Sequence, residues 1–145
     1  YQAISIINDR VDIALITEAD GVHLGQKDIY PNQGKNITNK KLIIGSSNAL
    51  ISEVEESERN DTGYIAIGSI FPTSTKNDTR PASLQLLIDS KQISKKPIVA
   101  IGGINQQNIE STIETGVDSV CIATAITLAK DPEKTTKSLS KYFNN

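Results

Sequence analysis

The sequence contains one cysteine, Cys121, and one histidine, His23. A single cysteine excludes an intramolecular disulfide and any multi-cysteine zinc or iron–sulfur site, and a single histidine excludes a metal site built on paired histidines. Cysteine-based nucleophilic catalysis is not expected, because no neighbouring histidine can activate the thiol. We expect Cys121 to belong to the core and His23 to be a packed, hydrogen-bonded residue rather than a catalytic one.

Long apolar runs and a surplus of basic charge are also absent. No segment approaches the roughly 18 consecutive apolar residues that indicate a transmembrane helix. The chain has 15 basic and 17 acidic residues, a net charge of −2, and no basic cluster, which argues against a nucleic-acid or anionic-membrane partner. We expect a cytoplasmic setting because the sequence shows no pattern of a secretory leader. The sequence leaves open whether the chain forms an oligomer.

Methionine is missing altogether, and the first residue is Tyr1. Since a natural chain starts with methionine, we expect the sequence to be an internal or C-terminal piece of a longer protein. Its 145 residues suffice for about one domain, so we expect residues 1–145 to form a single unit.

Short segments rich in isoleucine and valine recur along the chain, with little alternation of apolar and polar residues. This pattern is typical of strands that are buried on both faces, as in a parallel sheet. The predicted strands are residues 3–7, 21–24, 42–45, 64–67, 97–101 and 119–122. Segments with helical spacing lie between them, and Ser47–Asn48 and Asn105 are predicted to cap two of these helices. Ser83–Leu84 leads into another, and Pro132 stands at the first turn of the last.

The alternation of strand, loop and helix predicts a parallel α/β fold, either an open doubly wound sheet or a (β/α)₈ barrel. Both architectures place their sites at the carboxyl edge of the sheet, where polar and glycine-rich residues follow each predicted strand. A closed eight-stranded barrel typically needs about 250 residues. With six predicted strands, the barrel interpretation leaves two βα units missing.

Two motifs near the end of the chain are typical of a phosphate site. A buried strand runs into Gly102 and Gly103 and then toward a helix, so that backbone N–H groups and a helix N-terminus can face an anion. The next strand is followed by Ala123 and Thr124, a small residue and a hydroxyl. Barrels often build a phosphate site after their last two strands. The alternative is that the two glycines only make a tight turn.

The loop of residues 68–80 follows the fourth predicted strand and is long and polar. Its Thr73, Thr75 and Lys76 offer hydroxyl groups and a compact cation, which suit a carboxylate or phosphate ligand. The alternative is a solvated, flexible loop.

Two isolated carboxylates, Asp9 and Asp28, follow the first two predicted strands. Loops after neighbouring parallel strands meet at one edge of the sheet. Two carboxylates with open coordination positions fit Mg²⁺, whose other ligands are water and substrate phosphates. Without such a site, Asp9 would be a helix N-cap and Asp28 an ordinary loop acid.

Six short motifs resemble those of the thiamine-phosphate synthase family, in the family's order and across essentially the whole chain. The motifs are Ile7-Asn-Asp-Arg10, Gly21-Val-His-Leu-Gly-Gln26 with Asp28, Gly45-Ser-Ser47, Gly68-Ser-Ile-Phe-Pro-Thr-Ser-Thr-Lys76, Ala100-Ile-Gly-Gly-Ile104, and Gly116-Val-Asp-Ser-Val120 with Ala123-Thr124. Each motif alone is weak, but six in order are specific.

The resemblance implies a (β/α)₈ TIM barrel and a Mg²⁺-dependent transferase with two small-molecule substrates. The enzyme joins hydroxymethylpyrimidine diphosphate to a thiazole that carries an ethyl phosphate, and pyrophosphate leaves. By matching position, Asp9 and Asp28 look like the metal ligands. Contacts to the pyrimidine diphosphate fall on Asn8, Ser47 and Lys76, of which Ser47 and Lys76 are the candidate catalytic residues. Contacts to the thiazole substrate fall on Thr73, Ser74 and Thr75, and contacts to its phosphate on Gly103, Ala123 and Thr124.

The same resemblance implies that the chain covers strands three to eight of the barrel, as a partial TIM-barrel domain without the first two βα units. We expect weak or absent turnover of the isolated chain, because the basic motif that grips the diphosphate is missing and an unclosed barrel exposes sheet edges. Two alternatives are a thiazole tautomerase, an isomerase that needs no Mg²⁺ pair, and a non-catalytic phosphate-binding barrel. Asn8, Asp9 and Asp28 together favour the synthase.

Overall fold

The computed structural model describes residues 3–39, 41–75 and 78–143. Within these residues, six parallel strands form one sheet in which each strand pairs with the next along the chain. The strands are β1 Ile6–Asn8, β2 Gly21–Leu24, β3 Ile43–Asn48, β4 Tyr64–Ile67, β5 Ile98–Ile101 and β6 Ser119–Cys121. The helices are α1 Val11–Ile16, α2 Pro31–Ile37, α3 Ile51–Arg59, α4 Leu84–Ile93, α5 Ile109–Ile113, α6 Thr124–Thr127 and α7 Pro132–Ser140, followed by a 3₁₀ turn at Lys141–Phe143.

One face of the sheet carries the hydrophobic core, which lies between strands and helices. Ile44, Ile65 and Ile98 are fully buried. Ile65 and Ile98 belong to one cluster with the helix residues Val54 and Leu87, and Ile44 belongs to a second cluster with residues of α1. Side chains alternate along a strand, so the intervening residues belong to the other face, which we call the open face. Ile43 and Ile101 lie on this open face and are each 37% exposed. The architecture is a six-stranded parallel half-barrel.

The six predicted strands are all present, and the third extends further than expected. Ser47 and Asn48, predicted to cap a helix, instead end β3. The Asn48 amide is drawn into the core, where Ser57 Oγ donates to its Oδ1 at 2.9 Å. The cap of α3 comes from Glu53, whose Oε2 accepts the N–H groups of two residues before the helix.

Two helices also differ from expectation, one in its existence and one in its start. The helix α2 was not predicted, because Pro31–Ile37 is polar and contains a glycine, Gly34. In the structure Gly34 packs closely, since a Cβ there would lie 3.4 Å from Leu24 Cδ1. Asn105 was expected to cap a helix, but the helix begins only at Ile109, since Asn105 Oδ1 and the Asn105 carbonyl oxygen close turns over residues 105–109. Ser83 and Asp131 cap α4 and α7, since their side-chain oxygens accept the N–H groups of Leu86 and Lys134.

No helix in the described residues is long and apolar enough to cross a membrane, and the longest of them, α4, has 10 residues.

Candidate functional site

A cavity of about 620 Å³ opens at the carboxyl ends of the strands. Residues that end or follow each of the six strands contribute to its wall, which is where parallel α/β folds place their sites. From the predicted site, the lining includes Asp9, Asp28, Ser47, Thr73, Thr75, Gly103, Ala123 and Thr124. Its volume lies in the range of small-molecule pockets.

Asp9 lies directly after β1 in an unusual backbone conformation. Its φ is +64°, in the left-handed region that aspartate tolerates better than most residues. Its backbone N–H donates to the His23 carbonyl at 2.8 Å, which extends the β1–β2 pairing by one residue. The backbone at Asp9 is therefore fixed against β2.

Asp28 reaches the same cavity from the loop after β2. Its Oδ2 accepts the Gly25 N–H at 2.7 Å, so one carboxylate oxygen is committed to holding its own loop. The described residues contain no group of three or more His, Cys, Asp or Glu side chains that could hold a metal ion by themselves. Two carboxylates on one cavity suit Mg²⁺, which is commonly held by one or two carboxylates while substrate phosphates and water supply the rest.

Ser47 lines the cavity near the end of β3, and its hydroxyl contacts the side chain of His23. Nε2 of His23 lies 2.7 Å from Ser47 Oγ, and Nδ1 lies 2.9 Å from the Tyr64 hydroxyl. His23 is thus packed and hydrogen-bonded on both ring nitrogens, as predicted from its place between two apolar strand residues.

Three threonines lie together in the loops that follow β4 and β6. Thr73 and Thr75 are joined by a 3.0 Å hydrogen bond between their hydroxyls, and the Thr75 hydroxyl lies 3.5 Å from that of Thr124. The loop after β4 and the loop after β6 therefore meet, as the sequence predicts. Ser74, between the two loop threonines, is exposed and outside the described cavity lining.

Two other predicted residues are not placed on the cavity. Asn8, the last residue of β1, is exposed and absent from the described lining, although its neighbour Asp9 belongs to it. Lys76 lies outside the described residues, so the structure gives no position for its ammonium group.

The double glycine packs tightly against the loop after β4. Gly102 and Gly103 have φ values of +99° and +64°, and a Cβ on Gly102 would lie 2.8 Å from Ser69 Cβ. The side-chain amides of Asn105 and Asn108 both donate to the Gly103 carbonyl. The expected helix N-terminus is not at this turn, because α5 starts at Ile109.

The structure contradicts the prediction for Cys121. It was expected in the core, but it lies on the open face of the sheet, is exposed, and lines the cavity. Its neighbour Val120 takes the alternate position and packs against the core. Burial against the cavity wall nevertheless raises the pKa of the Cys121 thiol.

Two ion pairs at the cavity were not predicted. Arg80 pairs with Glu53 at 2.7 Å, and Lys27 pairs with Asp78 at 3.2 Å. The first pair joins the loop after β4 to the start of α3, and the second joins it to the loop after β2. The two residues of each pair are far apart in the sequence, so no local pattern predicts that they meet.

Comparison with known proteins gives consistent results. A family model described as thiamine monophosphate synthase matches residues 1–126. The thiamine-phosphate synthase of Clostridium tetani is 38% identical over 144 residues, which are 99% of this chain and 69% of that protein. The corresponding protein of Clostridium acetobutylicum is 45% identical over 130 residues, 90% of this chain and 62% of that protein.

A solved structure agrees with these relatives. Thiamine phosphate pyrophosphorylase from Pyrococcus furiosus superimposes with a TM-score of 0.90 at 40% identity, over 97% of this chain and 67% of that chain. The chain thus spans about two thirds of the length of the proteins it matches.

Proposed function

The chain belongs to the thiamine monophosphate synthase family, whose members are transferases, and from this premise we propose that its cavity binds the two substrates of thiamine phosphate formation. In this reaction the bond between the pyrimidine methylene carbon and the diphosphate breaks, and a bond from that carbon to the thiazole nitrogen forms. The observation that carries the proposal is the presence of both predicted halves of the site, a carboxylate pair and a threonine–glycine group, on one cavity.

Asp9 and Asp28 are the residues that would hold Mg²⁺. Their donor chemistry fits, because two carboxylates leave coordination positions for diphosphate oxygens and water. When bound, the ion neutralises negative charge that develops on the departing pyrophosphate. Before substrate arrives, the Gly25 N–H holds one oxygen of the Asp28 carboxylate, and the hydrogen bond to the His23 carbonyl holds the Asp9 backbone.

Ser47 and Lys76 are the proposed contacts to the pyrimidine diphosphate, together with Asn8. A hydroxyl and an ammonium supply a hydrogen bond and a positive charge, which stabilise a leaving diphosphate without a strong base. Ser47 lines the cavity, which supports its role directly. The roles of Asn8 and Lys76 are supported by sequence alone.

The other end of the cavity would receive the thiazole phosphate. Thr73, Thr75 and Thr124 offer hydroxyl donors, and Ser74 belongs to the same segment of sequence. Gly103 and Ala123 line the same cavity, where their backbone would face the phosphate. Holding both substrates in one cavity lowers the entropic cost of bringing the thiazole nitrogen to the methylene carbon.

We also propose that the six strands correspond to strands three to eight of an eight-stranded barrel. The unbroken order of β1 to β6 and the coverage of about two thirds of the relatives support this correspondence. The chain on its own would then turn over slowly, since two βα units that complete the wall are not part of it.

A single-turnover assay tests the proposed function despite slow turnover. The chain, in excess over labelled hydroxymethylpyrimidine diphosphate, is mixed with the thiazole phosphate with and without Mg²⁺, and thiamine phosphate is quantified. We expect product that requires Mg²⁺ and both substrates. Absence of product, together with Mg²⁺-independent isomerisation of the thiazole, would contradict the proposal in favour of a tautomerase.

A further inference from the structure

We propose that Tyr64 and His23 are positioning residues that fix the Ser47 hydroxyl as a hydrogen-bond donor into the cavity. The proposal rests on the proposed function, in which Ser47 contacts the pyrimidine substrate. A ring nitrogen of that substrate is the acceptor that such a donor would recognise.

The three residues are brought together by strand register. His23 on β2 is paired with Gly45 on β3, and Gly45 is paired with Tyr64 on β4. Ser47 follows Gly45 by two residues, so all of these positions share the open face of the sheet. The histidine ring therefore reaches both the strand beside it and the strand beyond.

Gly45 makes this contact between non-adjacent strands feasible. A Cβ at this position would overlap the Tyr64 ring and lie 2.6 Å from His23 Nδ1. The absence of a side chain lets the two rings meet, with their centroids 5.6 Å apart and their planes inclined by 21°. Gly45 is thus part of the same arrangement.

The proposed direction of the two hydrogen bonds starts from the proton of the Tyr64 hydroxyl. Desolvation raises the pKa of Tyr64 to about 12, and a charge on Cys121 would raise it further, so the phenol keeps its proton. Among the described residues, the hydrogen-bond partner of that phenol is His23 alone. In the proposed arrangement the Tyr64 hydroxyl donates to Nδ1, which makes Nε2 the protonated nitrogen of a neutral imidazole.

In that tautomer the Nε2–H group donates to Ser47 Oγ, which lies 2.7 Å away. With that lone pair occupied, the serine proton is available to a ligand in the cavity that Ser47 lines. The Ser47 backbone is held as well, because Gln26 Nε2 donates to its carbonyl at 2.7 Å. The side chains of His23 and Gln26 therefore orient the hydroxyl and the carbonyl group of Ser47, respectively.

His23 is not part of the described cavity lining, so it acts through Ser47 rather than on substrate. A hydroxyl can rotate freely and serve as donor or acceptor. Fixing it as a donor prepares the site for an acceptor and avoids ordering it at the moment of binding.

The first test is the tautomer of His23, measured by long-range ¹H–¹⁵N NMR of the imidazole. The chain has one histidine, so the signal is assigned without ambiguity. We expect the Nε2–H tautomer in the wild-type chain and a loss of this preference in Tyr64→Phe. Tyr142→Phe, on the C-terminal 3₁₀ turn, is the matched control and should leave it unchanged. An Nδ1–H tautomer in the wild type, or no response to Tyr64→Phe, would overturn the proposal.

The second test asks whether the arrangement acts through Ser47. Binding of hydroxymethylpyrimidine diphosphate with Mg²⁺ is measured by calorimetry for the wild type, Ser47→Ala, Tyr64→Phe and the double variant. We expect each single change to weaken binding by about tenfold, the equivalent of one hydrogen bond, and the double variant to lose no more. Additive losses would overturn the positioning role. If even the wild type fails to bind, the proposed function is wrong, and the tautomer alone decides the present proposal.

Discussion

The guanidinium of Arg80 lies 2.7 Å from Oε1 of Glu53, so the long loop after β4 is tied to the start of α3. Oε2 of the same carboxylate accepts the N–H groups of Ala49 and Leu50, at 2.8 and 3.2 Å. Glu53 therefore caps the helix and anchors one end of the loop that carries Thr73 and Thr75.

Replacing Glu53 by glutamine should lower stability and flatten its pH dependence. Burial acts to raise the pKa of Glu53, but the hydrogen bonds from Arg80 and the backbone outweigh it and hold the pKa below its ordinary value. A lowered pKa stabilises the fold above the unfolded-state value and loses this effect as the pH falls through the folded-state value. We expect roughly 1 kcal/mol less unfolding free energy at pH 7, and little loss in strong acid.

Urea unfolding of the wild type and Glu53→Gln at pH 7 and at acid pH measures this effect. Glu55→Gln, on an exposed position of the same helix, is the control. Equal losses in the two variants at pH 7 would show that the Glu53 contacts contribute nothing specific.

Alanine at Gly102 should destabilise the chain far more than alanine at Gly116. Both residues have positive φ, +99° and +82°, so both substitutions carry a backbone cost of about 1–2 kcal/mol. A Cβ at Gly102 would also lie 2.6 Å from Ser69 Cα, whereas nothing lies within 4 Å of one at Gly116. Overpacking adds about 1–3 kcal/mol at Gly102 alone. Similar urea midpoints for the two variants would contradict the packing that brings this turn against the loop after β4.

Thr124→Val should weaken binding of the thiazole phosphate. The substitution preserves shape but removes the hydroxyl that faces Thr75 and the cavity. Loss of one hydrogen bond to a charged group corresponds to roughly a tenfold lower affinity or more. Thr136→Val on α7 is the control, since its hydroxyl bonds only its own helix. Calorimetry that shows unchanged affinity for Thr124→Val would remove this residue from the phosphate site.

The sheet could be predicted from the sequence because each strand is a short isoleucine- and valine-rich segment followed by polar residues. The prediction that Asp9, Asp28 and Thr124 share a cavity also followed, since loops after parallel strands meet at one edge. A four-residue apolar segment does not show which of its residues face the helices. For this reason Cys121 was expected in the core and is found on the open face.

Other features depend on contacts that no local pattern contains. The polar helix α2 is formed around Gly34, which packs beside Leu24 and Ile44. The contact of His23 with Tyr64 joins residues on strands that are not adjacent, and it becomes visible only when the register places Gly45 between them. Asn8 and Asp9 are neighbours in one motif, yet of the two only the aspartate lines the cavity.

We propose that Asp9 and Asp28 jointly hold Mg²⁺ on the leaving pyrophosphate, and calorimetric titration of pyrophosphate in the presence of Mg²⁺ measures this binding. The proteins compared are the wild type, Asp9→Asn, Asp28→Asn and the control Asp89→Asn, whose side chain bonds Gln85 on α4. We predict Mg²⁺-dependent binding by the wild type and the control, and at least a tenfold loss in each of the other two variants. Equal binding by all four proteins would show that the two carboxylates do not hold the metal.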